Sequence, residues 1–215
     1  MNRIATVIDR LDWQRIRLLL DREGFAVLPG FLGHCELSER DWVEQPPDLL
    51  SNLEHAFYPA LASVANQWNE ILKQSYRYPL RFAEFQAQCF AAGQQQVLSA
   101  LTCLREEEYL HIRQDADGEY VFPLQLVALL SSPGQDFTGG EFVLTEQRPR
   151  MQSRPMVVPL RRGDIAIITT AQRPFKGSRG YYRVNMKHAI SRVRSGTRLG
   201  FTLSFHFAPG PGHGG

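Results

Sequence analysis

The sequence predicts an α+β protein that is mostly β: a double-stranded β-helix (jelly roll) with N-terminal helices packed outside it. Three observations carry this expectation. Up to residue 96 the apolar residues recur every three or four positions. Beyond it they fall into eight short runs, and those runs are separated by clusters such as Ser131-Ser-Pro-Gly134, Thr138-Gly-Gly140 and Arg161-Arg-Gly-Asp164. The first spacing buries one face of a helix, whereas short runs cut by Gly, Pro and Asp are strands joined by tight turns. Eight strands at that density close into two facing sheets. The 215 residues, 43% of them hydrophobic, suit one domain. It is expected over 1–207, with a helical part at 1–96, the jelly-roll core at 97–207 and a disordered tail at 208–215.

Taken in order, Asp12 is an N-cap for an amphipathic helix that begins at Trp13, and Gly24 is its stop. Phe25-Ala-Val-Leu28 follows as a strand running into a turn, and 31–48 reads as loop. Leu49, Leu53, Phe57, Leu61, Val64, Trp68 and Leu72 predict a long helix over 47–75, with Pro59 kinking or splitting it. Residues 82–92 make a shorter helix closed by Gly93. The eight strands are expected at 97–104, 109–115, 120–130, 141–145, 156–160, 164–170, 182–193 and 199–207.

The net charge of +2 conceals an asymmetry: residues 1–147 carry 11 Lys+Arg against 21 Asp+Glu, while 148–198 carry 13 Lys+Arg against Asp164 alone. Basic residues sharing one face would attract nucleic acid or a small anion; spread along alternating strand positions, they are a solvated surface. Cys35, Cys89 and Cys103 are odd in number and far apart, which argues against a disulfide framework and a structural zinc site. The N-terminal segment has acids too early for a secretory signal, and no apolar run reaches membrane-spanning length. A cytoplasmic protein without a membrane segment is the expectation.

Two residues in the last third point to chemistry. His188 precedes Arg198 by ten residues, and Arg198 opens the apolar run Leu199-Gly-Phe-Thr-Leu-Ser-Phe-His-Phe207. A neutral imidazole can hold a metal, and a guanidinium fork suits a carboxylate. In a jelly roll, a His/carboxylate pair on an early strand and a second His on a late one form one face of a non-haem iron centre, leaving positions open for a 2-oxo acid and dioxygen.

Four runs carry a resemblance: Phe122-Pro-Leu-Gln125, the stretch from Pro133 to Arg154 around Phe137-Thr-Gly-Gly-Glu-Phe142, Val158-Pro-Leu-Arg-Arg-Gly-Asp164, and Tyr182-Arg-Val-Asn-Met-Lys-His188 continuing to Gly196. In these the chain resembles a bacterial 2-oxoglutarate/Fe(II) oxygenase family described as oxidative demethylases of damaged, alkylated nucleic acid. The resemblance is close over 105–207 and weaker at 24–30 and 58–93. It implies Fe(II) and 2-oxoglutarate as cofactors, and a small molecule or alkylated nucleic acid as substrate, with nucleic acid reached through the basic residues of 148–198. By position, His188 matches the distal metal histidine, Asp115 the metal carboxylate and Arg198 the partner of the far carboxylate of 2-oxoglutarate. The segment at 31–48 is shorter than is usual for the family.

The family's first histidine belongs two residues before the aspartate, and Arg113 stands there. Arginine stays protonated and has no lone pair to give a metal. Three accounts remain open. His111 could replace the missing ligand, though it stands roughly 13 Å from Asp115 along an extended strand at about 3.3 Å per residue and needs a bulge to reach. Asp115 and His188 could hold iron alone. Or the site has lapsed, with Arg113 bridging to Asp115 where the metal would sit, leaving a binding or regulatory protein that holds an anionic ligand or nucleic acid.

The remaining histidines are weaker candidates. His206 reads as a hydrogen-bonded core residue, His34 and His55 as surface or helix-face residues, and His213 as incidental. Gly139-Gly140-Glu141 lacks the following helix a phosphate cradle needs, so it reads as a turn.

Overall fold

The computed structural model describes residues 3–35 and 46–210, and within them the helices come first. They are α1 (Arg3–Asp9), α2 (Trp13–Glu23), α3 (Phe31–His34), α4 (Pro46–Ile71) and α5 (Phe82–Ala91). The Asp12 carboxylate accepts the Arg15 N–H at 3.0 Å to start α2, and Gly24, at φ 80°, stops it by donating to the Leu20 carbonyl. A side chain at Gly24 would also collide with Met186 and Arg173, which pack over this turn. Helix α4 runs unbroken through Pro59. The missing proline N–H deprives only the His55 carbonyl of its usual donor, and packing along the buried face sustains the helix on either side of it.

All eight expected strands are present, in two antiparallel sheets. The larger is ordered β1 (Phe25–Leu28), β9 (Ile165–Thr169), β5 (Leu124–Leu129), β12 (Val193–Ser204) and β3 (Ala100–Arg105), with β6 (Phe137–Gly139) also pairing β12. The smaller is ordered β10 (Gln172–Gly177), β11 (Gly180–Ile190), β7 (Phe142–Gln147) and β8 (Arg154–Val158), with β4 (Leu110–Arg113) pairing β11. A third pairing joins β2 (Gln94–Gln96) to β13 (Ala208–Pro209). Ala208 and Pro209, the start of the tail expected to be disordered, are instead paired, and the Gln94 side chain holds the Phe207 carbonyl. Residues 211–215, with His213, and the 36–45 part of the expected loop lie outside the described residues.

Two cores explain why some strands are continuously apolar. On β5, Leu124, Leu126 and Ala128 pack under the helices with Leu53, Phe57 and Leu61 of α4, while Val127 and Leu129 face the smaller sheet. On β9, Ile165 and Ile167 take the helical side, Ala166 and Ile168 the inter-sheet side. A sheet covered on both faces loses the alternation of a half-exposed one. Polar side chains on the inter-sheet face of this sheet are therefore dry, and Gln125, Arg198 and His206 are all buried.

Glu54 of α4 is the carboxylate most affected by this packing. Burial pushes its pKa from the ordinary 4.5 up to about 7, partly offset by the Ser99 hydroxyl 3.2 Å away and by His55. Between pH 4.5 and 7 the folded state keeps a proton that the unfolded chain has released, so stability falls as pH rises through that window. Glu54→Gln is expected to flatten this slope and to raise stability at pH 8 by about 1–2 kcal/mol, after discounting for partial solvation. Urea titrations of both proteins at pH 5 and pH 8 check it; parallel profiles would contradict it.

Candidate metal and anion sites

β4 and β11 pair with Arg113 opposite His188, so both side chains leave the smaller sheet on one face. Two residues past β4 the chain brings Asp115 between them. Its Oδ1 lies 3.1 Å from Arg113 Nε and its Oδ2 3.4 Å from His188 Nε2. Burial alone would push the Asp115 carboxyl pKa up. The neighbouring His188 imidazole, then Arg113 and His206, outweigh that and hold it below the usual carboxylate range.

His188 is buried, with its ring nearly parallel to that of Phe142 at 5.9 Å between centroids. Its Nδ1 lies 3.3 Å from Gln125 Nε2, and its Nε2, though close to Asp115, has no aligned hydrogen-bond partner. Gln125 Oε1 is likewise buried and unpartnered. With the amide N–H₂ facing Nδ1, a neutral ring carries its proton on Nε2, toward Asp115. Rotating the amide by 180° lets Oε1 accept from Nδ1–H and leaves the Nε2 lone pair facing the carboxylate, the tautomer a metal ligand needs.

Arg198 occupies a second environment. Its Nε donates to the Gly140 carbonyl at 2.9 Å, and desolvation pushes its pKa down to about 10. A Cβ at Gly140 would stand 3.0 Å from Arg198 Cδ, and at φ 63° the backbone itself disfavours one. No carboxylate pairs with this guanidinium among the described residues. It lines a cavity of about 310 Å³ with Leu129, Gly140, Phe142 and Leu160. Neither Asp115 nor His188 lines that cavity, and Phe142 is the common wall, stacked on His188 and lining the cavity beside Arg198.

Asp115 and His188 are thus together, Arg198 lies beyond Phe142, and His111 is elsewhere. The His111 ring is exposed and rests edge-on against Tyr109 at 4.8 Å. Among the described residues no three His, Cys, Asp or Glu side chains converge on one point. The orphaned Nε2 beside a carboxylate suits a divalent cation with two protein ligands; a three-ligand set is not assembled. His111→Ala is accordingly expected to leave metal affinity and melting temperature unchanged, as checked by calorimetric metal titration and a thermal melt. Loss of binding would restore His111 as a ligand.

His206 is buried, its Nδ1 3.1 Å from the Ser204 hydroxyl and its Nε2 unpartnered. Burial pulls its pKa down to about 4 against the opposing pull of Asp115 and Asp117. Gln125 and Phe142 were missed as site residues from sequence. Gln125 left a signal, being the lone polar residue in the apolar run 121–130.

Two curled antiparallel sheets closing over a His/Asp pair make this the double-stranded β-helix of an oxygenase fold. The family described as "Oxygenase, catalysing oxidative methylation of damaged DNA" matches residues 40–208, and the chain belongs to it. An uncharacterised protein of Mycobacterium tuberculosis, present in strains CDC 1551 and H37Rv, is 39% identical over 160 residues, covering 74% of this chain and 69% of the relative. Among solved structures, an oxidoreductase of the 2OG-Fe(II) oxygenase family from Burkholderia pseudomallei superimposes with a TM-score of 0.50. At 12% identity over 94% of this chain and 95% of the other, it shares the fold. No described helix is long and apolar enough to cross a membrane.

Proposed function

We propose that the protein is a 2-oxoglutarate/Fe(II)-type oxygenase whose metal position has two protein ligands, Asp115 and His188. The observation that carries this reading is the buried, unpartnered Nε2 of His188 facing a carboxylate held in its charged form. Family membership supports the reaction class. Bound iron, with 2-oxoglutarate and dioxygen, would supply the oxidation of a substrate C–H bond, releasing succinate and carbon dioxide. The residues of this chain do the rest. Gln125 selects the His188 tautomer, Arg198 offers a dry guanidinium to a carboxylate, and Phe142, at the wall between the two, has to turn aside for one ligand to span both.

A second reading, a lapsed site in a binding or regulatory protein, is favoured by one contact. The Arg113 guanidinium already neutralises Asp115, and a nearby fixed cation opposes a divalent ion. Anaerobic Fe(II) titration with 2-oxoglutarate, read by visible absorption and by succinate release in air, separates the two. The oxygenase reading expects weak but saturable iron binding, and expects Arg198→Met to abolish 2-oxoglutarate binding while sparing iron. Absence of iron binding at millimolar Fe(II) would leave the lapsed reading.

The substrate proposed is alkylated nucleic acid, with a small anionic molecule as the other class. Of the basic residues in 148–198, Arg173 and Arg198 turn inward. Lys176, Arg183 and Lys187 face outward from β10 and β11, and the outward positions of β10, β11 and β7 carry no carboxylate. Three phosphate contacts give a slope of log K against log salt of about −2 for a single strand. Fluorescence anisotropy with a short single strand at two salt concentrations is expected to show it, and Lys176→Ala/Lys187→Ala to reduce the slope by about 1.4. Undetectable binding at low salt removes nucleic acid and leaves the small anion.

A further inference from the structure

Of the two residues that face the candidate metal position, His188 sits on a paired strand, whereas Asp115 lies between β4 and β5, outside either sheet. Where its carboxylate points therefore depends on side chains that hold this segment from outside. Two of them hold its flanks. The Gln114 amide donates to the Ala171 and Met186 carbonyls at 3.1 and 2.7 Å. The Gln94 side chain donates to the Tyr120 carbonyl at 3.1 Å and accepts the Tyr120 N–H at 2.8 Å. Between these anchors the Asp115 main chain meets the buried ring of His206.

That ring has one end fixed. Its Nδ1 lies 3.1 Å from the Ser204 hydroxyl. Ser204 is tied in turn to Ser99, whose hydroxyl accepts the Ser204 N–H at 3.0 Å. The same Ser99 hydroxyl lies 3.2 Å from both the Ser204 carbonyl and the Glu54 carboxylate of α4. On either side in the chain, Phe205 packs on Phe122 at 5.2 Å and Phe207 on Phe90 at 4.9 Å. The ring thus moves only if the end of β12 moves with it.

The other end, Nε2, is buried without an aligned hydrogen-bond partner. The Asp115 main chain favours a proton on this ring, as a carbonyl does and an N–H does not. With Nδ1 taken by Ser204, the nitrogen left for that carbonyl is Nε2. Burial keeps the imidazole uncharged, so it carries a single ring proton. A Ser204 hydroxyl donating to Nδ1 puts that proton on Nε2, toward the carbonyl. The other tautomer would set a lone pair against a carbonyl oxygen in a dry site, which is costly.

We infer that His206 is a positioning residue: its Nε2–H holds the Asp115 carbonyl and so aims the Asp115 carboxylate at His188 and the metal position. Holding the segment requires no metal; the effect on metal affinity rests on the oxygenase reading above.

His206→Asn and His206→Gln separate the two ends of the ring. Asparagine places its amide where Nδ1 stands and keeps Ser204, while glutamine reaches the place of Nε2 and keeps Asp115. A role in packing alone would give the two variants the same behaviour. Hydrogen exchange read by mass spectrometry on metal-free protein is the first measurement. In His206→Asn the amides of 114–119 are expected to exchange about ten-fold faster while those of β5 do not change, the mark of local opening. In His206→Gln they are expected to exchange as in wild type. Cobalt(II), an air-stable stand-in for Fe(II), is then titrated by visible absorption. His206→Asn is expected to weaken it by about ten- to a hundred-fold, the range for groups that orient metal ligands, and His206→Gln to restore it.

Equal exchange in the two variants, or exchange at 114–119 that His206→Asn leaves unchanged, overturns the inference. So does a cobalt affinity that His206→Asn does not alter. Wild-type protein that binds no cobalt removes the metal reading instead, and the exchange result then decides alone. Ser204→Ala, which keeps the ring, is measured alongside in case His206→Asn does not fold. Without the hydroxyl the proton is free to leave Nε2, and exchange at 114–119 is expected to rise there too; no rise counts against the inference.

Discussion

Replacing Arg113 by histidine is expected to raise Fe(II) affinity by about ten- to a hundred-fold, the scale on which supporting groups alone move metal sites. The side chain at 113 leaves β4 opposite His188 and on the same face, so an imidazole there meets Asp115 and His188 without a backbone change. The substitution also removes a guanidinium 3.1 Å from the Asp115 carboxylate, a charge that opposes any divalent ion beside it. Two effects of one sign act together: a third donor is added and a repulsion is lost. Anaerobic titration with 2-oxoglutarate present, following the visible absorption of the chelated complex, measures the change. Succinate released without added substrate should rise in parallel. Equal affinity in wild type and variant would mean that Arg113 already swings clear of the metal position and that the two-ligand account understates the site.

Arg173→Met is expected to destabilise the fold by about 3–5 kcal/mol, because it leaves a buried carboxylate without its partner. Arg173 is fully buried on β10 and pairs with Glu146 of β7, itself also held by Arg148 at 2.8 Å. The same guanidinium donates to the Asp21 and Arg22 carbonyls at 2.6 and 3.2 Å, closing the C-terminal end of α2 onto the smaller sheet. Urea unfolding reads the loss, and the double substitution Arg173→Met/Glu146→Leu should recover much of it by removing both charges. A loss below about 1 kcal/mol for the single variant would show that Arg148 alone satisfies Glu146. This arginine belongs to the basic excess of 148–198, so part of that charge is structural and unavailable to any polyanion.

The sequence by itself determined the order of elements and where the chemistry lies along the chain. Helix α2 was legible from Asp12 to Gly24 because caps are local: one side chain meets a backbone amide three residues on, and one glycine takes a left-handed φ. β5 and β9 were legible because burial on both faces writes an apolar run. β10 was not, since Gln172-Arg-Pro-Phe-Lys-Gly177 has no apolar pattern and is a strand only because β11 pairs with it and α2 covers Arg173. Pro59 pointed to a kink or a split, and α4 is not split there.

At the site, spacing and resemblance put Asp115, His188 and Arg198 in one neighbourhood, and marked Arg113 as the anomaly. Three facts were decided only by tertiary structure: that Arg113 reaches Asp115, that His111 turns to Tyr109, and that Phe142 stands between His188 and the Arg198 cavity. The physical reason is range. Caps, periodicity and turns are settled within a few residues, so the sequence records them directly. The facing of Gln125 to His188 and of Arg113 to Asp115 depends on how two sheets curl over each other and on which side chains fill the gap, a competition among residues far apart in the chain.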